Sequence, residues 1–375
     1  VRPFMSALWS LFAEPELMQE SKLSFPNSKN PHSCVNDPPV RVTSKLHHGL
    51  WWANLWHQEK CNPRKKEMLV PVILYMDGIS IDSKGRLSLT PLNMTLGIFS
   101  TATRQSNSAW ETMCFHPDAN HMSSNQSQHT RLIHNIENLH RGLDAALSSF
   151  KAQCRSGPVR TELPWNGEFH AVNMKFSIAF VVGDTELHDK LCCRYGGRTQ
   201  NMNCICRHCK CPTEQLVNGQ CRAINDLWTP SDFIKPHGES TDHFAKKLSH
   251  HPVRNAFHDV SFGANKHNIH FATPGESLHM HQLGVAKRSI ESFRSQLLTQ
   301  PKGDNRKAHR SHGFAITSSM AQDCGQSLSH QSDRHFPRVR FSSTILTPTK
   351  KEGNEYPGII ICLVLALLCS EGRRA

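Results

Sequence analysis

The sequence lacks an apolar segment long enough to span a membrane. Its most apolar stretch, residues 358–369 (GIIICLVLALLC), has twelve residues, whereas a transmembrane helix needs about 20. We therefore interpret this stretch as a buried helix and expect no membrane partner. A signal peptide is also not recognisable. The chain starts at Val1 without Met, so we expect a fragment of a longer product.

Acidic residues are few relative to basic ones. The chain has 31 Asp and Glu against 43 Lys and Arg, which gives a formal net charge of +12. This imbalance favours a polyanionic partner, of which nucleic acid is the commonest. The apolar share is low at 38%, so we expect polar connecting segments. At 375 residues the chain can form two domains, or one domain with a large insertion.

The stretch 69–104 has the pattern of two strands joined by a turn. Apolar and β-branched residues fill 69–76 and again 87–99, and the polar segment between them contains glycine. The first run stops at Asp77. A carboxylate at this position either starts a turn or belongs to a functional site, and the local sequence leaves both readings open.

A helix and a further strand follow. Residues 105–129 are polar and rich in turn formers, which we interpret as a surface loop. Apolar residues then recur at helical spacing between 130 and 154, so this segment is predicted to be an amphipathic helix packed on a sheet. Residues 169–182 are predicted to form a strand that stops at Asp184.

The two strand-ending aspartates, Asp77 and Asp184, emerge at one edge if their strands are neighbours in the sheet. Two carboxylates held together repel each other unless a cation lies between them, which favours a divalent-metal site. The alternative is that each aspartate only begins a turn. The order of elements, namely two strands, an expected third strand, a helix and a further strand, matches the catalytic core of ribonuclease-H-like nucleases, and we predict an α/β fold.

Seven of the 14 cysteines lie between Cys192 and Cys221. Such clustering in a basic chain indicates metal binding in a reducing compartment. Cys206 and Cys209 have the C-x2-C spacing with which two thiolates reach one zinc ion, and Cys211 adds a third nearby. Sulfur ligands indicate a closed structural site, and the alternative is a set of free thiols. The remaining candidate ligands are Cys192, Cys193, Cys204, Cys221, His188 and His208.

The rest of the chain is basic and irregular apart from a predicted helix near 274–298. Segment 301–340 is rich in Lys and Arg, which either contact phosphates or form a solvated surface. Glu355 stands at the head of the last apolar helix, where a carboxylate suits the helix dipole and where a third metal ligand is wanted. Near the N-terminus, an aromatic patch is expected to pack on a core rather than bind a partner; it consists of Trp51, Trp52 and Trp56.

Six segments occur in an order typical of one known family. They are VPVILYMDG, GRLSLTPLNMTLGIF, SIAFVVGDTELHDKLC, CRHCKCPTE, NAFHDVSFGANKHNIHFATPGESLHMHQLGV and EYPGIIICLVLALLCS. In that order they resemble the transposase of Plavaka-type elements, which belong with the CACTA and Kyakuja–Dileera–Zisupton DNA transposons. The resemblance covers about residues 68–370. It implies a ribonuclease-H-like mixed sheet with flanking helices, interrupted by a Cys-rich zinc insert and a helical, irregular insert.

The resemblance also implies a DDE triad that binds Mg²⁺ or Mn²⁺. Asp77 matches the first acid, Asp184 the second and Glu355 the third, with Glu276 as the rival third acid. The implied activity is cleavage and strand transfer at transposon ends, with double-stranded DNA as partner and the nucleus as location. A homo-oligomer in the DNA complex is compatible with this activity. The residues that match the structural zinc insert are Cys192, Cys206, Cys209 and Cys211.

Two stretches depart from the family pattern. A His-Met-His sequence occupies 279–281, and 300–335 is unusually rich in Ser, Asn and His. They keep an alternative function open, namely a catalytically inactive, zinc-stabilised DNA-binding protein derived from a transposase. The expected organisation is a partly irregular N-terminal linker (1–67), the first part of the core (68–190), the zinc insert (191–225), the helical and basic insert (226–350) and the last core helix with a truncated C-terminus (351–375).

Overall fold

The computed structural model divides into two compact units, Val1–Pro274 and Gly275–Ala375. The sheet and the helices named below lie in the first unit. Glu276, Glu355, Cys221 and the basic segment 301–340 lie outside the described residues, as do most of the predicted helices near 274–298 and 358–369. The structure describes residues 1–27, 32, 46–59, 61–81, 88–117, 127–195, 202–204, 206–217, 227–234, 240–260, 262, 268–275, 288–292, 295, 359–360 and 362.

A mixed β-sheet and flanking helices form the first unit. The strands are β1 (Glu67–Met76), β2 (Ile79–Ser80), β3 (Ser88–Leu96), β4 (Glu111–Pro117), β5 (Val159–Trp165) and β6 (Glu168–Val182). The helices are α1 (Phe4–Ala13), α2 (Leu50–Gln58), α3 (Thr101–Arg104), α4 (Gln128–Ser156), α5 (Thr185–Leu191), α6 (Thr213–Val217), α7 (Thr241–Leu248) and α8 (Ile269–Ala272).

The sheet has β1 at its centre. On one side β1 pairs antiparallel with β3, which also pairs antiparallel with β4 and with the short β2. On the other side β1 pairs parallel with β6, and β6 pairs antiparallel with β5. Because β1 and β6 run in the same direction, their C-terminal ends meet at one edge of the sheet. The α/β class with a mixed sheet is therefore confirmed.

The central strands and the long helix form where the apolar pattern predicts them. Most of β1 is buried, as expected for a strand covered on both faces. Helix α4 buries Leu139, Leu143 and Leu147 at helical spacing against the core. It begins after Ser127, whose side chain accepts a hydrogen bond from the Thr130 amide, and it ends at a glycine with φ of 94°. The predicted helix at 130–154 is confirmed.

Several elements were not located from the sequence, and α1, β4 and β5 are three of those that contribute to the sheet or its core. Helix α1, inside the segment expected to be linker, buries Phe4, Leu8 and Leu11 in the core. Strand β4 lies inside the segment interpreted as a surface loop, and it pairs along β3. Strand β5 pairs with β6. The loop interpretation of 105–129 is therefore wrong for Glu111–Pro117, because an edge strand that buries few side chains gives no apolar run.

The aromatic patch of helix α2 packs inside the protein. Trp52 and Trp56 are buried in a small cluster with Leu55, Cys61 and Leu69. The expectation that the tryptophans pack on a core is confirmed for these two. In the part of the chain that the structure describes, no helix has the length and apolarity that crossing a bilayer requires.

Candidate active site

The parallel pairing of β1 and β6 brings Asp77 and Asp184 to the same edge of the sheet. The last paired residues are Tyr75 and Val182, and each aspartate lies two positions beyond its strand's paired residue. Adjacent strands lie about 4.8 Å apart, so equivalent positions on β1 and β6 are close neighbours. The structure thus confirms the arrangement that the two strand-ending acids predict.

Gly183 allows the two strand ends to approach each other closely. A Cβ atom placed on Gly183 would lie 2.8 Å from the Met76 carbonyl oxygen and 2.9 Å from Leu187 Cδ2. Both distances are shorter than normal van der Waals contacts, so a side chain does not fit there. The residue before Asp184 therefore packs directly on the residue before Asp77.

Each aspartate uses one carboxylate oxygen in a hydrogen bond within the protein. Tyr75 donates its hydroxyl to Asp77 Oδ2 at 3.0 Å. Asp184 is the N-cap of α5, and its Oδ1 accepts a hydrogen bond from the Leu187 amide at 2.6 Å. Capping of this kind explains why the chain turns from strand to helix at Asp184. It also holds the Asp184 carboxylate in place at the sheet edge.

Helix α5 is attached to the end of β6 by His188. This histidine is buried, and its Nε2 lies 3.0 Å from the Val181 carbonyl oxygen. His188 is one of the alternative zinc ligands suggested by the sequence, but here its ring contacts the backbone of the strand that precedes Asp184. Its position therefore supports the geometry of the acid pair.

The two aspartates form the described part of the predicted triad. Glu355 and Glu276, the two candidates for the third acid, lie outside the described residues. Within the described ranges, no three or more His, Cys, Asp or Glu side chains are grouped so that they could hold a metal ion. Carboxylate oxygens are the ligands that Mg²⁺ and Mn²⁺ prefer, so the pair fits these ions chemically and needs further ligands.

Cys192 lies in an apolar setting at the end of α5. It is fully buried, and its Sγ lies 3.8 Å from Thr273 Oγ1 and 3.9 Å from the Ile269 carbonyl oxygen. Burial raises the pKa of the Cys192 thiol to about 12. The role of Cys192 as a zinc ligand, which the family resemblance implies, stays a prediction.

The C-x2-C turn is positioned by Arg194 and Trp228. The Cys206 carbonyl oxygen accepts hydrogen bonds from Arg194 Nη1 at 2.7 Å and from Trp228 Nε1 at 3.1 Å. Arg194 also donates to the Cys204 carbonyl oxygen, and its guanidinium lies 5.9 Å from the centre of the Trp228 ring. Cys206, Cys209 and Cys211 belong to no metal-holding group among the described residues.

A histidine–aromatic cluster next to this turn was not recognised from the sequence. The Phe233 ring stacks on His258 and on His270, with centroids 5.1 Å apart in both pairs, and it lies 4.3 Å from His250. Burial holds the pKa of His250 and of His270 well below the usual value. These histidines therefore act as neutral packing groups. No spacing in the sequence indicates that they meet.

Comparison with known proteins identifies the family. The family model described as Plavaka transposase matches residues 1–290 of the 375. This match starts at residue 1, so it includes α1 and α2 as well as the sheet and both aspartates. No curated protein sequence matches the chain. Since the matched region covers well over half of the sequence, the chain belongs to the Plavaka transposase family.

Proposed function

We propose that this protein is a DDE-type transposase that cleaves DNA and transfers strands at transposon ends. The observation that carries the proposal is the placement of Asp77 and Asp184 side by side at one edge of the sheet. Membership of a transposase family indicates that the substrate is DNA, because it implies DNA binding. The net charge of +12 suits a polyanionic partner.

The strand order supports a ribonuclease-H-like core. Three antiparallel strands, β1, β3 and β4, are followed by helix α4 and then by β6, which returns parallel to β1. This is the order of elements that the family resemblance implies for the catalytic core. The antiparallel strand β5 is an addition that extends the sheet beyond β6.

In the proposed mechanism, Asp77 and Asp184 would hold divalent metal ions through their carboxylates, with Glu355 or Glu276 as the third acid. A bound Mg²⁺ or Mn²⁺ would supply the Lewis acidity for activating the attacking water or DNA 3′-hydroxyl and for stabilising the leaving oxygen. The Leu187 amide and the Tyr75 hydroxyl keep the two carboxylates in place. The reaction needs no covalent protein–DNA intermediate, so no nucleophilic side chain is assigned.

The structural zinc remains a separate proposal, because Cys192, Cys206, Cys209 and Cys211 are not grouped as ligands within the described residues. We derive no step of the reaction from it. Zinc analysis of reduced, folded protein tests the assignment directly. A zinc content of about one per chain supports a site in this region, and a much lower content removes it.

We further infer that the protein acts in the nucleus on double-stranded DNA and that a homo-oligomer in the DNA complex is compatible with this role. Binding of DNA through Lys and Arg releases counterions from the phosphates. The logarithm of the association constant should therefore fall linearly with the logarithm of the salt concentration. Fluorescence anisotropy with a labelled duplex measures this slope. An affinity that does not respond to salt contradicts phosphate contacts.

A nicking assay tests the catalytic proposal. The purified protein is incubated with a duplex that carries the transposon ends, in Mg²⁺ or Mn²⁺. Asp77→Asn and Asp184→Asn should abolish nicking, and asparagine at 184 still caps α5, so the fold should survive. Glu186→Gln is the matched control, because Glu186 is 72% exposed and pairs only with Lys190 among the described residues. If both asparagine variants nick like the parent, the acid assignment is wrong.

A further inference from the structure

Tyr75 connects the acid pair to the body of the sheet. Tyr75 lies in β1 and Asp77 follows the strand directly, and the hydrogen bond between the two side chains places them on the same side of the sheet. The Tyr75 ring packs edge-on against Trp110, with centroids 6.0 Å apart and an angle of 68°. Trp110 is itself held, since its Nε1 donates to the Arg104 carbonyl oxygen at 2.8 Å. The ring that carries the Tyr75 hydroxyl is therefore fixed in position.

Each aspartate accepts one hydrogen bond that fixes the orientation of its carboxylate. The Tyr75 hydroxyl donates to Asp77 Oδ2 at 3.0 Å, and the Leu187 amide donates to Asp184 Oδ1 at 2.6 Å. Asp77 Oδ1 and Asp184 Oδ2 have no protein hydrogen bond among the described residues. Each carboxylate thus has one oxygen that fixes its orientation and one that remains for a cation.

We propose that Tyr75 is a positioning residue for metal binding at Asp77. Asp77 is exposed, so without a partner its carboxylate would sample several rotamers and lose that freedom when a metal ion binds. The Tyr75 hydroxyl removes this freedom in advance and leaves Oδ1 as the metal ligand. The inference rests on the proposed function, because it assumes that Asp77 binds a divalent cation.

If the Tyr75 hydroxyl only stabilised the fold, removing it would lower the thermal unfolding midpoint and leave metal binding unchanged. The hydrogen bond between Tyr75 and Asp77 is solvent-exposed, and exposed polar contacts contribute little to stability. Tyr75→Phe keeps the ring that packs on Trp110 and removes only the hydroxyl. We therefore expect the thermal unfolding midpoint to stay unchanged while metal binding weakens.

The test measures Mn²⁺ binding to the full chain by electron paramagnetic resonance, without DNA. Removing a group that orients a metal ligand weakens affinity by about tenfold or more, and we expect at least that loss for Tyr75→Phe. The Mn²⁺ concentration for half-maximal nicking should rise by the same factor, and saturating Mn²⁺ should restore the parent rate. Tyr195→Phe is the matched control, because the Tyr195 ring packs on His251 rather than on a residue of the acid pair.

The outcomes separate this inference from the proposed function. Parent-like Mn²⁺ binding by Tyr75→Phe, together with loss of binding in Asp77→Asn, overturns the positioning role and leaves the acid assignment intact. Binding in the parent that Asp77→Asn does not change overturns the proposed function and the positioning role with it. Weaker Mn²⁺ binding by Tyr75→Phe at an unchanged unfolding midpoint supports the positioning role and the acid assignment.

Discussion

Each aspartate of the acid pair has a glycine as its direct neighbour in the sequence, and the two glycines differ in how closely other atoms approach them. In Asp77-Gly78, a Cβ atom on the glycine would meet nothing within 4 Å. In Gly183-Asp184, it would overlap the Met76 carbonyl oxygen and the Leu187 side chain. Only the second glycine is therefore required by the contact between β1 and β6.

We predict that Gly183→Ala damages both the fold and the site. The added methyl group must push the end of β6 away from β1, which costs about 1–3 kcal/mol and separates the aspartates. Urea unfolding gives the loss of stability, and the nicking assay gives the loss of activity. Gly78→Ala should change stability by less than about 0.5 kcal/mol. Equal effects of the two substitutions would contradict the close approach at Gly183.

Only some of the important single residues can be predicted from the sequence. Asp77 and Asp184 are predictable because each ends an apolar run, and parallel strands place such ends together. The roles of Tyr75 and Gly183 depend on which atoms face them across the sheet, and no local pattern reports that. Glu355 stays a prediction, since it lies outside the described residues.

Among the secondary-structure elements, α4 is joined to the segment after α7 by a buried cation. Lys151 Nζ lies 2.6 Å from Asp144 Oδ1 and 2.5 Å from Asp259 Oδ1, and the lysine side chain is only 8% exposed. The hydrogen bond from Lys151 lowers the pKa of Asp144. One lysine therefore connects the long helix to the chain that follows the cysteine-rich region.

We predict that Lys151→Met destabilises the protein by about 1–2 kcal/mol. Methionine keeps the apolar stem but leaves two carboxylates close together without their cation. The free energy of unfolding in urea is the measurement. Lys190→Met serves as control, because Lys190 pairs with an exposed carboxylate one helical turn away and should cost less than about 0.5 kcal/mol. Similar losses in both variants would argue against the buried link.

The elements that the sequence predicts are those in which buried apolar residues form a run or recur at regular spacing. Helix α4 and strands β1, β3 and β6 have apolar runs or helical periodicity, because they contact the core along most of their length. Strands β4 and β5 lie beyond these central strands and mix polar with apolar residues. Their pairing is decided by the neighbouring strand, so local sequence does not reveal it.

For the molecule as a whole, buried neutral histidines make stability depend on pH. Burial lowers the pKa of His140 and of His258 to about 4, and it holds His250 and His270 well below 6.5. In the unfolded chain these groups take up protons near their usual value of about 6.5. The unfolded state therefore binds more protons below that pH, and folding stability falls as the pH drops from 6.5 towards 4.

His270→Phe should reduce this loss of stability in acid. Phenylalanine keeps an aromatic ring beside Phe233 and Trp228 and cannot be protonated. We expect the difference in unfolding free energy between about pH 7 and about pH 5 to become smaller than in the parent. Urea unfolding at the two pH values measures it. His134→Gln, on the exposed side of α4, should keep the parent's difference, and an unchanged difference in His270→Phe would refute the assignment.

At the scale of the whole chain, the order of six segments indicates the family, and the family model match over residues 1–290 confirms it. Composition alone indicates only a polyanionic partner, since charge constrains association and not fold. The packing of α1 on the core was not predictable, because the sequence of a ten-residue helix does not show which distant residues it contacts. The choice of zinc ligands among the cysteines also depends on contacts between residues that are distant in the sequence.

We propose that Asp77 binds the catalytic metal ion at the edge between β1 and β6. Asp77→Cys tests it most directly, because a thiolate is a poor ligand for hard Mg²⁺ and a better one for softer Mn²⁺. This variant should not nick transposon-end DNA in Mg²⁺ and should regain nicking in Mn²⁺. Nicking in Mg²⁺ at the parent rate by Asp77→Cys would contradict it.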